Sequence, residues 1–540
     1  MVWRISGLFL IIVVAVSSAP VRAANQRAPA APLPYQAGFP RSEPAAPLAF
    51  GAPLVVDLDG NGSNEILLGD GAGCVWAWNA AGTPLAGAPW KAAAACNGAA
   101  ALDTPLAAGD IDGDGALEVV GGTRGSGPVA GQRGQVWAWN PDGSLVAGWP
   151  KEMAWSAKAT GEPAISSVLL ANLQGDDALE VAYGTTNNAN AGQLGVDTAP
   201  NLYARSGAGT LLPVFPTWAG TAAINGALAA GPVGCDGYAD LVAGRDHGYL
   251  HAYDGSGRAL AAWPLRAFVD PAADNPQTDP YLAFPTSAPA LGNLSGNGAP
   301  EIAVAGDVRQ PSRGNATSNL GLLAVDASGA RLPGWETPRL GGLPTAPGLP
   351  ARLAPALADL DGDGGLEIII ALPDGAVRAF RADGSLLWQH DYAAGRALLA
   401  SEPVVGDVSG DGKPDVLFGV YSPDGSAAGG VVGLDSRGQT LTSFPLPLPA
   451  ESAALAQGVR AAPTLADLDK DGDVEIAAAS IGGTLYVWDS PGAYDPALMP
   501  WPMSRHDLWR SGSFDGGPRP AVAPNPRGPF ALFLPRIGGC

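Results

Sequence analysis

A nine-residue loop rich in carboxylates occurs five times in this chain, and each copy lies between two short apolar runs. Oxygen-bearing side chains occupy loop positions one, three, five and nine, and glycines recur at positions four and six. A motif that returns in one register indicates a repeated structural unit, and this constrains the fold strongly. The candidate oxygen donors are Asp57, Asp59, Asn61 and Glu65; Asp110, Asp112, Asp114 and Glu118; Asp359, Asp361, Asp363 and Glu367; Asp407, Ser409, Asp411 and Asp415; and Asp467, Asp469, Asp471 and Glu475.

The spacing of these donors favours calcium. Calcium takes six to eight oxygen ligands at about 2.3 to 2.6 Å and tolerates irregular geometry, whereas magnesium requires a stricter octahedron. Glycines such as Gly60 and Gly62 can adopt the positive φ angles that turn the donors inward. An EF-hand needs a glutamate at position twelve and helices on both sides, and this sequence offers neither. We therefore expect about five calcium sites.

Short β-branched segments flank the loops. Residues 53–56 precede the first loop and 66–68 follow it, while 368–370 and 416–418 follow two later copies. Brief apolar runs bounded by Gly and Asp are typical of strands. The alternative interpretation of a single Asp-Gly cluster is a solvated turn. Five copies in matching register favour a metal loop between two strands.

Three weaker versions of the loop, at 172–180, 232–240 and 293–301, bring the number of repeats to eight. Successive repeats start 48 to 66 residues apart, which fits one four-stranded sheet with its loops. A second pair of strands, joined by a turn such as Asp-Gly at 142–143, follows each loop. The sequence predicts an all-β fold, an eight-bladed β-propeller of four-stranded antiparallel blades with the calcium loops between first and second strands. Seven blades are the alternative, because the loop at 232–240 is degraded.

The D-x-D-G-D-G-x-x-[DE] loop followed by a strand resembles the FG-GAP or VCBS repeat, which also builds the N-terminal β-propeller of integrin α-chains. The resemblance extends over nearly the whole mature chain. It implies a calcium-bearing propeller used in extracellular adhesion, ligand binding or display. The third, fourth and fifth repeats depart from the pattern. Whether the third and fifth loops bind calcium is left open, and the fourth loop is not expected to bind it. The substituted donor positions are Asn172, Gln174, Pro232, Gly234, Asn293 and Ser295.

Composition excludes two classes of partner. Only 15% of the residues are charged and the formal net charge is −21. A nucleic-acid-binding protein needs a basic patch to neutralise phosphates, and an anionic membrane surface would repel this chain as well. No segment after the N-terminus has the roughly 18 uninterrupted apolar residues of a membrane span. We expect no nucleic acid partner and no membrane insertion of the mature chain.

The sequence divides into four segments. Residues 1–23 carry a basic residue, a short apolar run and small residues at a cleavage site, as in a secretory signal peptide, with an uncleaved anchor as the alternative. We assign 24–46 to an extended leader, 47–511 to the propeller, and 512–540 to a Pro/Gly-rich linker and a short apolar C-terminal tail. The protein is therefore expected to be secreted, extracellular or at the cell surface.

Four cysteines are too few for a disulfide scaffold. Cys74 and Cys96 are close enough in sequence to link the first blade to its following loop, and this pairing is left open. Cys235 and Cys540 are candidates for unpaired thiols.

The expected ligand surface is the face opposite the calcium loops. In a four-stranded meander the calcium loops and the tight Asp-Gly turns share one face, and the long, dissimilar loops lie on the other. Binding residues concentrate on variable loops over a rigid scaffold. The candidates on this face are Trp155, Asn187, Asn190, Asp246, His247, Asp279, Tyr281, Arg309, Arg313, Tyr392 and Tyr421.

The sequence favours a binding module over an enzyme. Motifs of zinc proteases, serine hydrolases and phosphate-binding loops are missing. The four histidines form no evident pair, and each is expected at the surface or in a hairpin. We expect adhesion to an extracellular glycan or protein ligand. A calcium-dependent polysaccharide lyase is the alternative, since such chemistry needs a cation and a general base near the sugar; a purely structural display module is the third possibility.

Overall fold

In the computed structural model, the described residues form β-strands and two short 3₁₀ turns, with no α-helix among them. No described helix is long or apolar enough to cross a membrane. The predicted signal peptide, Asn187, Asn190, Asp246, His247, Cys235 and most of the C-terminal tail lie outside the described residues. These comprise 32–44, 51–92, 96, 100–102, 104–155, 162–176, 178–186, 200–215, 217–219, 223–234, 236–245, 248–344, 352–449 and 457–514.

Eight antiparallel sheets follow one another along the chain, so the prediction of eight blades is confirmed and the seven-blade alternative is wrong. The degraded fourth repeat forms a complete four-stranded sheet. The first blade consists of β1 (Leu54–Val56), β2 (Glu65–Gly69), β3 (Cys74–Asn79) and β4 (Trp90–Lys91); the second of β5 (Ala107–Gly109), β6 (Glu118–Gly122), β7 (Gln135–Trp139) and β8 (Lys151–Glu152); the third of β9 (Ile165–Ala171), β10 (Glu180–Thr185), β11 (Pro200–Arg205) and β12 (Thr217–Ala219); and the fourth of β13 (Leu228–Gly231), β14 (Asp240–Arg245), β15 (Tyr249–Tyr253) and β16 (Leu265–Arg266).

Blades five and seven carry additional strands, and blade eight has three strands of its own. The fifth consists of β17 (Tyr281–Ala283), β18 (Ala290–Gly292), β19 (Glu301–Gln310), β20 (Ala316–Val325) and β21 (Arg339–Gly341); the sixth of β22 (Ala356–Ala358), β23 (Glu367–Ala371), β24 (Ala376–Phe380) and β25 (Leu386–Asp391); the seventh of β26 (Leu399–Ala400), β27 (Val404–Gly406), β28 (Asp415–Ser422), β29 (Gly430–Leu434), β30 (Leu446–Pro447) and β31 (Gln457–Gly458); and the eighth of β32 (Thr464–Ala466), β33 (Asp473–Ala479) and β34 (Leu485–Ala493). The 3₁₀ turns are Pro311–Arg313 and Pro496–Leu498.

The second strand of each blade is rich in buried apolar residues because both of its faces pack against other blades. In β23 every residue is buried, including the three successive isoleucines at 368–370. Strands that face solvent on one side would instead alternate apolar and polar residues. The continuous runs in the sequence therefore reflect radial packing of the sheets.

The extended leader lies along the outer edge of the eighth blade. Tyr35 pairs with Trp488 and Arg41 pairs with Leu485, and two backbone hydrogen bonds join Arg41 and Leu485 at 2.8 Å. Residues 35–41 thus occupy the place of a fourth strand beside β34. The N-terminal segment thus completes the blade formed by residues 464–493, which closes the ring without leaving an exposed sheet edge there.

A second closure lies on the axis of the ring, where residues 498–514 run between the innermost strands. The backbone of Trp501 exchanges hydrogen bonds with Val405 in the seventh blade. Further backbone bonds reach Leu465 in the eighth blade, Ala108 in the second and Leu291 in the fifth. We call residues 498–514 the axial segment. Because it contacts the inner strands of several blades, it fills the channel that a propeller would otherwise enclose.

Tryptophans near the fourth strands of blades two, four, five and six hydrogen-bond to the next blade. Trp149 donates a hydrogen bond to the turn of the third blade at Gly207, and Trp388 donates to the turn of the seventh at Ser436. The same turn of the third blade touches the metal loop of the second, since a Cβ on Gly207 would lie 1.8 Å from the Ile111 carbonyl oxygen. The carboxylate loops and the tight turns therefore share one face of the ring, which we call the loop face.

Candidate metal centres

Related backbone hydrogen bonds hold these loops, and the bond at position nine recurs in the loops of blades one, two, three, five, six, seven and eight. The carboxylate at position nine accepts from the backbone N–H of position two, as Glu65 does from Leu58 at 2.9 Å. The side chain at position one accepts from the N–H groups of positions four and six, as Asp359 does from Gly362 and Gly364 at 2.8 and 2.9 Å. These bonds hold the donors on the inner side of the loop before any ion binds.

Three carboxylates converge in four of the five predicted loops. Positions one, three and nine each bring one oxygen atom within 4.8 Å of the other two. Coordination of one cation by several oxygens requires this kind of convergence. The residues concerned are Asp57, Asp59 and Glu65; Asp110, Asp112 and Glu118; Asp359, Asp361 and Glu367; and Asp467, Asp469 and Glu475.

Position five has a different contact in the described structure. Asp114, Asp363 and Asp471 each accept a hydrogen bond from the backbone N–H of position seven, at 2.8, 2.8 and 3.0 Å. Asn61 does the same at 2.7 Å. These side chains therefore stabilise the turn of the loop, and their role as metal ligands remains a prediction.

Buried oxygens without partners fit a cation in these loops. Glu118 is fully buried, yet its Oε1 atom accepts no hydrogen bond from the described residues. Asp57 Oδ1 and Asp467 Oδ1 are also buried and accept no hydrogen bond from the described residues. Buried polar atoms nearly always have a partner, and an unpaired carboxylate oxygen is costly. A hard cation in each of these three loops would satisfy the unpaired oxygen of that loop.

The raised pKa values of the loop glutamates also favour a bound cation. Burial, reinforced by the neighbouring carboxylates, raises the pKa of Glu65, Glu118 and Glu367 to about 7. The pKa of Glu475 is raised to about 8 for the same reasons. Negative charge is thus disfavoured at these positions unless a cation compensates it.

The remaining loops differ in how their donors are satisfied. In the loop that begins at Asp407, Ser409 replaces the third carboxylate, and its N–H donates to Asp415 at 2.9 Å. In the fifth blade, Ser295 Oγ donates to Glu301 Oε1, and Asn297 donates to the same oxygen at 3.1 Å. Hydroxyl and amide groups there supply the contacts that an ion would otherwise make.

The face opposite the loop face carries the structural differences between blades, and we call it the variable face. Residues 307–319 form the end of a hairpin between β19 and β20, each ten residues long. Strand β17 pairs with β19 at this end. In the seventh blade, β26 and β31 widen the sheet in the same place. Both blades therefore extend beyond the others on the variable face.

Three of the predicted ligand contacts on the variable face are buried. Tyr281, Tyr392 and Tyr421 are at most 7% exposed. Tyr392 donates to the carbonyl of Leu372, and the Tyr281 ring lies 4.2 Å from the Arg266 guanidinium carbon. These tyrosines are packing residues, so their assignment as accessible contacts is wrong. Aromatic residues in loop-like sequence cannot be sorted into buried and exposed without tertiary contacts.

The other candidates stay accessible to different degrees. Arg313 is exposed, Asp279 is half-buried, and Trp155 is half-buried against the core of the second and third blades. Arg309 forms an ion pair with Asp307 at 2.9 Å. Sequence reasoning missed Arg266, whose guanidinium carbon lies between the rings of Tyr249 and Tyr281 at 4.9 and 4.2 Å.

The described histidines do not form a catalytic group. His251 is buried in the fourth blade, where burial lowers its pKa to about 3. His506 lies in the axial segment, with its ring 4.9 Å from that of Trp501. The expectation of a surface or hairpin position is wrong for His506, whereas His251 lies on the hairpin of β14 and β15. His390 lies near the turn of the seventh blade, 3.1 Å from the carbonyl oxygen of Gly438.

The disulfide left open by the sequence is present. Cys74 and Cys96 are bonded, with their Cα atoms 5.5 Å apart. The bond joins the third strand of the first blade to the segment that leads to the second blade.

Residues 359–418 match the FG-GAP-like repeat family. The matched segment begins at the loop of the sixth blade and ends within β28, after the loop of the seventh. Together with the eight-bladed ring, this match supports an FG-GAP repeat propeller and confirms the resemblance read from the loops. A search of curated proteins gives no match.

Several solved structures are similar over most of the chain. The biofilm matrix protein Bap1 of V. cholerae is 14% identical, with a TM-score of 0.48, and the match covers 87% of this chain and 92% of Bap1. BamB from Moraxella catarrhalis is 16% identical, with a TM-score of 0.43 and coverage of 82% and 98%. A rhamnogalacturonan lyase of Bacillus licheniformis is 15% identical, with a TM-score of 0.42 and coverage of 86% of each chain.

Proposed function

We propose that this FG-GAP-type propeller is a calcium-stabilised extracellular binding module that holds a glycan or protein ligand on its variable face. In this proposal the calcium ions have a structural role. The residues that would hold them are the converging carboxylates at positions one, three and nine of the loops in blades one, two, six and eight. The donor set of the seventh blade, from Asp407 to Asp415, is a fifth and weaker candidate.

Calcium as a structural ion is supported by the place of the loops. Each loop joins the innermost strand of a blade to the second strand, whose residues are buried between neighbouring blades. An ion that neutralises the loop carboxylates would hold the two strands together at the loop face. Hard oxygen donors in a flexible loop are the ligands that calcium prefers.

Export from the cytoplasm is supported by the disulfide and by the N-terminal sequence. Disulfides persist mainly in oxidising compartments. The Cys74–Cys96 bond fits such a compartment, as does the signal-peptide pattern of residues 1–23. Extracellular calcium-binding modules commonly bind the ion with millimolar to submillimolar affinity, which surface loops of this kind could reach.

The observation that carries the binding assignment is the extension of blades five and seven on the variable face. The long hairpin of β19 and β20 ends in the 3₁₀ turn Pro311–Arg313, and β17 supports its base. Arg309 and Arg313 provide cations near the tip. Proteins usually make ligand contacts with loops and extensions that project from a rigid scaffold.

The proposal is tested by retention of the calcium-loaded protein on a panel of immobilised polysaccharides and extracellular proteins. We expect at least one ligand to retain the wild type, and the double variant R309S/R313S to bind at least tenfold more weakly. R258S is the matched control, because Arg258 is exposed in a turn on the loop face. Equal retention of all three proteins would contradict the choice of the variable face.

The same incubation distinguishes binding from catalysis. Polymer length is followed together with retention, along with the absorbance of unsaturated sugar ends. A module that only binds leaves both unchanged over time. Shortened chains with unsaturated ends would show a lyase and overturn the assignment as a binding module.

A further inference from the structure

A polar cleft opens on the loop face between blades six and seven. Its volume is about 290 Å³. Blade six contributes Leu360 and Asp361 from its metal loop, and Leu387 and Trp388 from β25. The blade-seven side consists of Lys413, Ser436 and Arg437.

The two cations come from two different loops of blade seven. Lys413 occupies position seven of the metal loop, and Arg437 lies in the tight turn between β29 and β30. Both side chains are exposed. Neither forms an ion pair with a carboxylate in the described part of the chain.

Both cationic residues lie in turns whose backbone is fixed by hydrogen bonds. The N–H of Lys413 donates to Asp411 at 3.0 Å, and the N–H of Arg437 donates to Asp435 at 3.0 Å. The turn also receives the hydrogen bond from Trp388 Nε1 to the carbonyl of Ser436 at 3.0 Å. This bond ties the blade-seven wall of the cleft to the blade-six wall, so the cleft is a preformed feature of the interface between blades.

The other blades serve as internal comparisons, because the same positions recur in each repeat. Position seven of the metal loop is uncharged or acidic in every other blade. The turn position that corresponds to Arg437 is Ala, Ser or Asp in blades one to six. In a chain of net charge −21, both repeat positions become cationic in one blade and face the same cleft. A shared structural requirement of the repeats does not explain this.

The single carboxylate in the cleft is already compensated. Asp361 forms an ion pair with Arg381 at 3.3 Å, and it is also one of the three converging carboxylates of its metal loop. Lys413 and Arg437 therefore leave the cleft with an excess of positive charge.

We propose that this cleft binds an anionic sugar residue, a hexuronate, through Lys413 and Arg437. Arginine and lysine both make charge-assisted hydrogen bonds to carboxylates. Ser436 adds a polar group for ring hydroxyls, and Leu360 and Leu387 offer a small apolar surface for the ring. The volume of about 290 Å³ lies just below the range of small-molecule pockets, about 300 to 1,000 Å³, and therefore favours a single small unit over a folded partner.

This cleft is separate from the variable face, so it does not depend on the function proposed above. The two hypotheses are tested with different variants: R309S/R313S on the variable face, and K413S/R437S in the cleft. Failure of one leaves the other unaffected.

The test is calorimetric titration of the calcium-loaded protein with a trimer of galacturonate, with a trimer of galactose as the neutral comparison and inorganic phosphate as a second anion. We expect the acidic trimer to bind and the neutral trimer to bind at least tenfold more weakly. Serine is chosen for the variants because blade one has Ser63 at position seven and blade four has Ser256 at the turn. K413S/R437S should therefore fold normally and lose at least tenfold in affinity, while R258S keeps it.

Two results would overturn the proposal. One is equal affinity of the wild type and K413S/R437S for galacturonate, with melting curves that show both to be folded. The other is displacement of the sugar by inorganic phosphate at equal concentration, which would mean that the cleft recognises charge alone.

Discussion

The calcium hypothesis makes a quantitative prediction about thermal stability. Three carboxylates lie within 4.8 Å of one another in each of four loops. At an effective dielectric constant of about 20, two charges at this distance repel each other by about 3.5 kcal/mol. An ion that binds only the folded state removes this repulsion. At a hundredfold excess over its dissociation constant, it stabilises the fold by about 2.7 kcal/mol per site.

These free energies correspond to measurable shifts in the melting temperature. The entropy of unfolding is about 2.1 cal/mol/K per residue, or roughly 1 kcal/mol/K for a chain of 540 residues. One site is then equivalent to about 2 to 3 °C, and four sites to about 10 °C. We expect EGTA to lower the melting temperature of the wild type by about 10 °C, and added calcium to restore it.

A single loop can be removed with D361A. Asp361 contributes one of the converging oxygens of blade six. In calcium the variant should melt about 2 to 3 °C below the wild type, and its further drop in EGTA should be smaller by about a quarter. D240N in the degraded loop of blade four is the control, because its drop in EGTA should equal that of the wild type. If EGTA leaves the wild-type melting temperature unchanged, the loops are solvated turns and the metal assignment fails.

Three further predictions concern buried groups outside these metal centres. Burial raises the pKa of Asp240 to about 7, so the stability that its proton provides is complete below pH 4 and is lost as the pH rises to 7. D240N should therefore melt a few degrees above the wild type at pH 8 and at the same temperature as the wild type at pH 4. A difference in melting temperature that does not depend on pH would contradict this reasoning. The Cys74–Cys96 bond joins residues 22 positions apart in sequence. The variant C74S/C96S should have a free energy of unfolding about 3 kcal/mol lower than that of the wild type, as measured by urea unfolding. Trp501 in the axial segment is 1% exposed, so W501A should lower the free energy of unfolding by about 3 to 5 kcal/mol in the same assay. A decrease below about 1 kcal/mol would show that the axial segment does not bind the inner strands in solution.

Much of the fold could be read from the sequence because its signals are local. The loop residues Asp359 to Glu367 carry their own hydrogen-bond pattern, and the apolar run 368–370 records burial on both faces of one strand. Eight such units at similar spacing give the number of blades. Local turn chemistry and strand patterning depend little on the rest of the chain, and so they survive as sequence signals.

Contacts between distant segments could not be read in this way. The pairing of Arg41 with Leu485 and of Trp501 with Val405 joins residues without any local motif. Tyr392 and Tyr421 have the sequence environment of exposed loops, yet neighbouring strands bury them. In each case the deciding factor is which blade lies next to which.

The sequence by itself determined the repeat, the strand-loop-strand unit and the set of candidate metal ligands, since each depends on residues within about ten positions of one another. The tertiary structure alone decided how the ring is closed, what fills its axis, and that Lys413 and Arg437 share a cleft with Asp361. These features depend on the packing of blades, in which free energy comes from surfaces brought together across hundreds of residues. The order of repeats along the chain determines which blades are neighbours. Only the closed ring shows which side chains meet at the interface between two neighbouring blades.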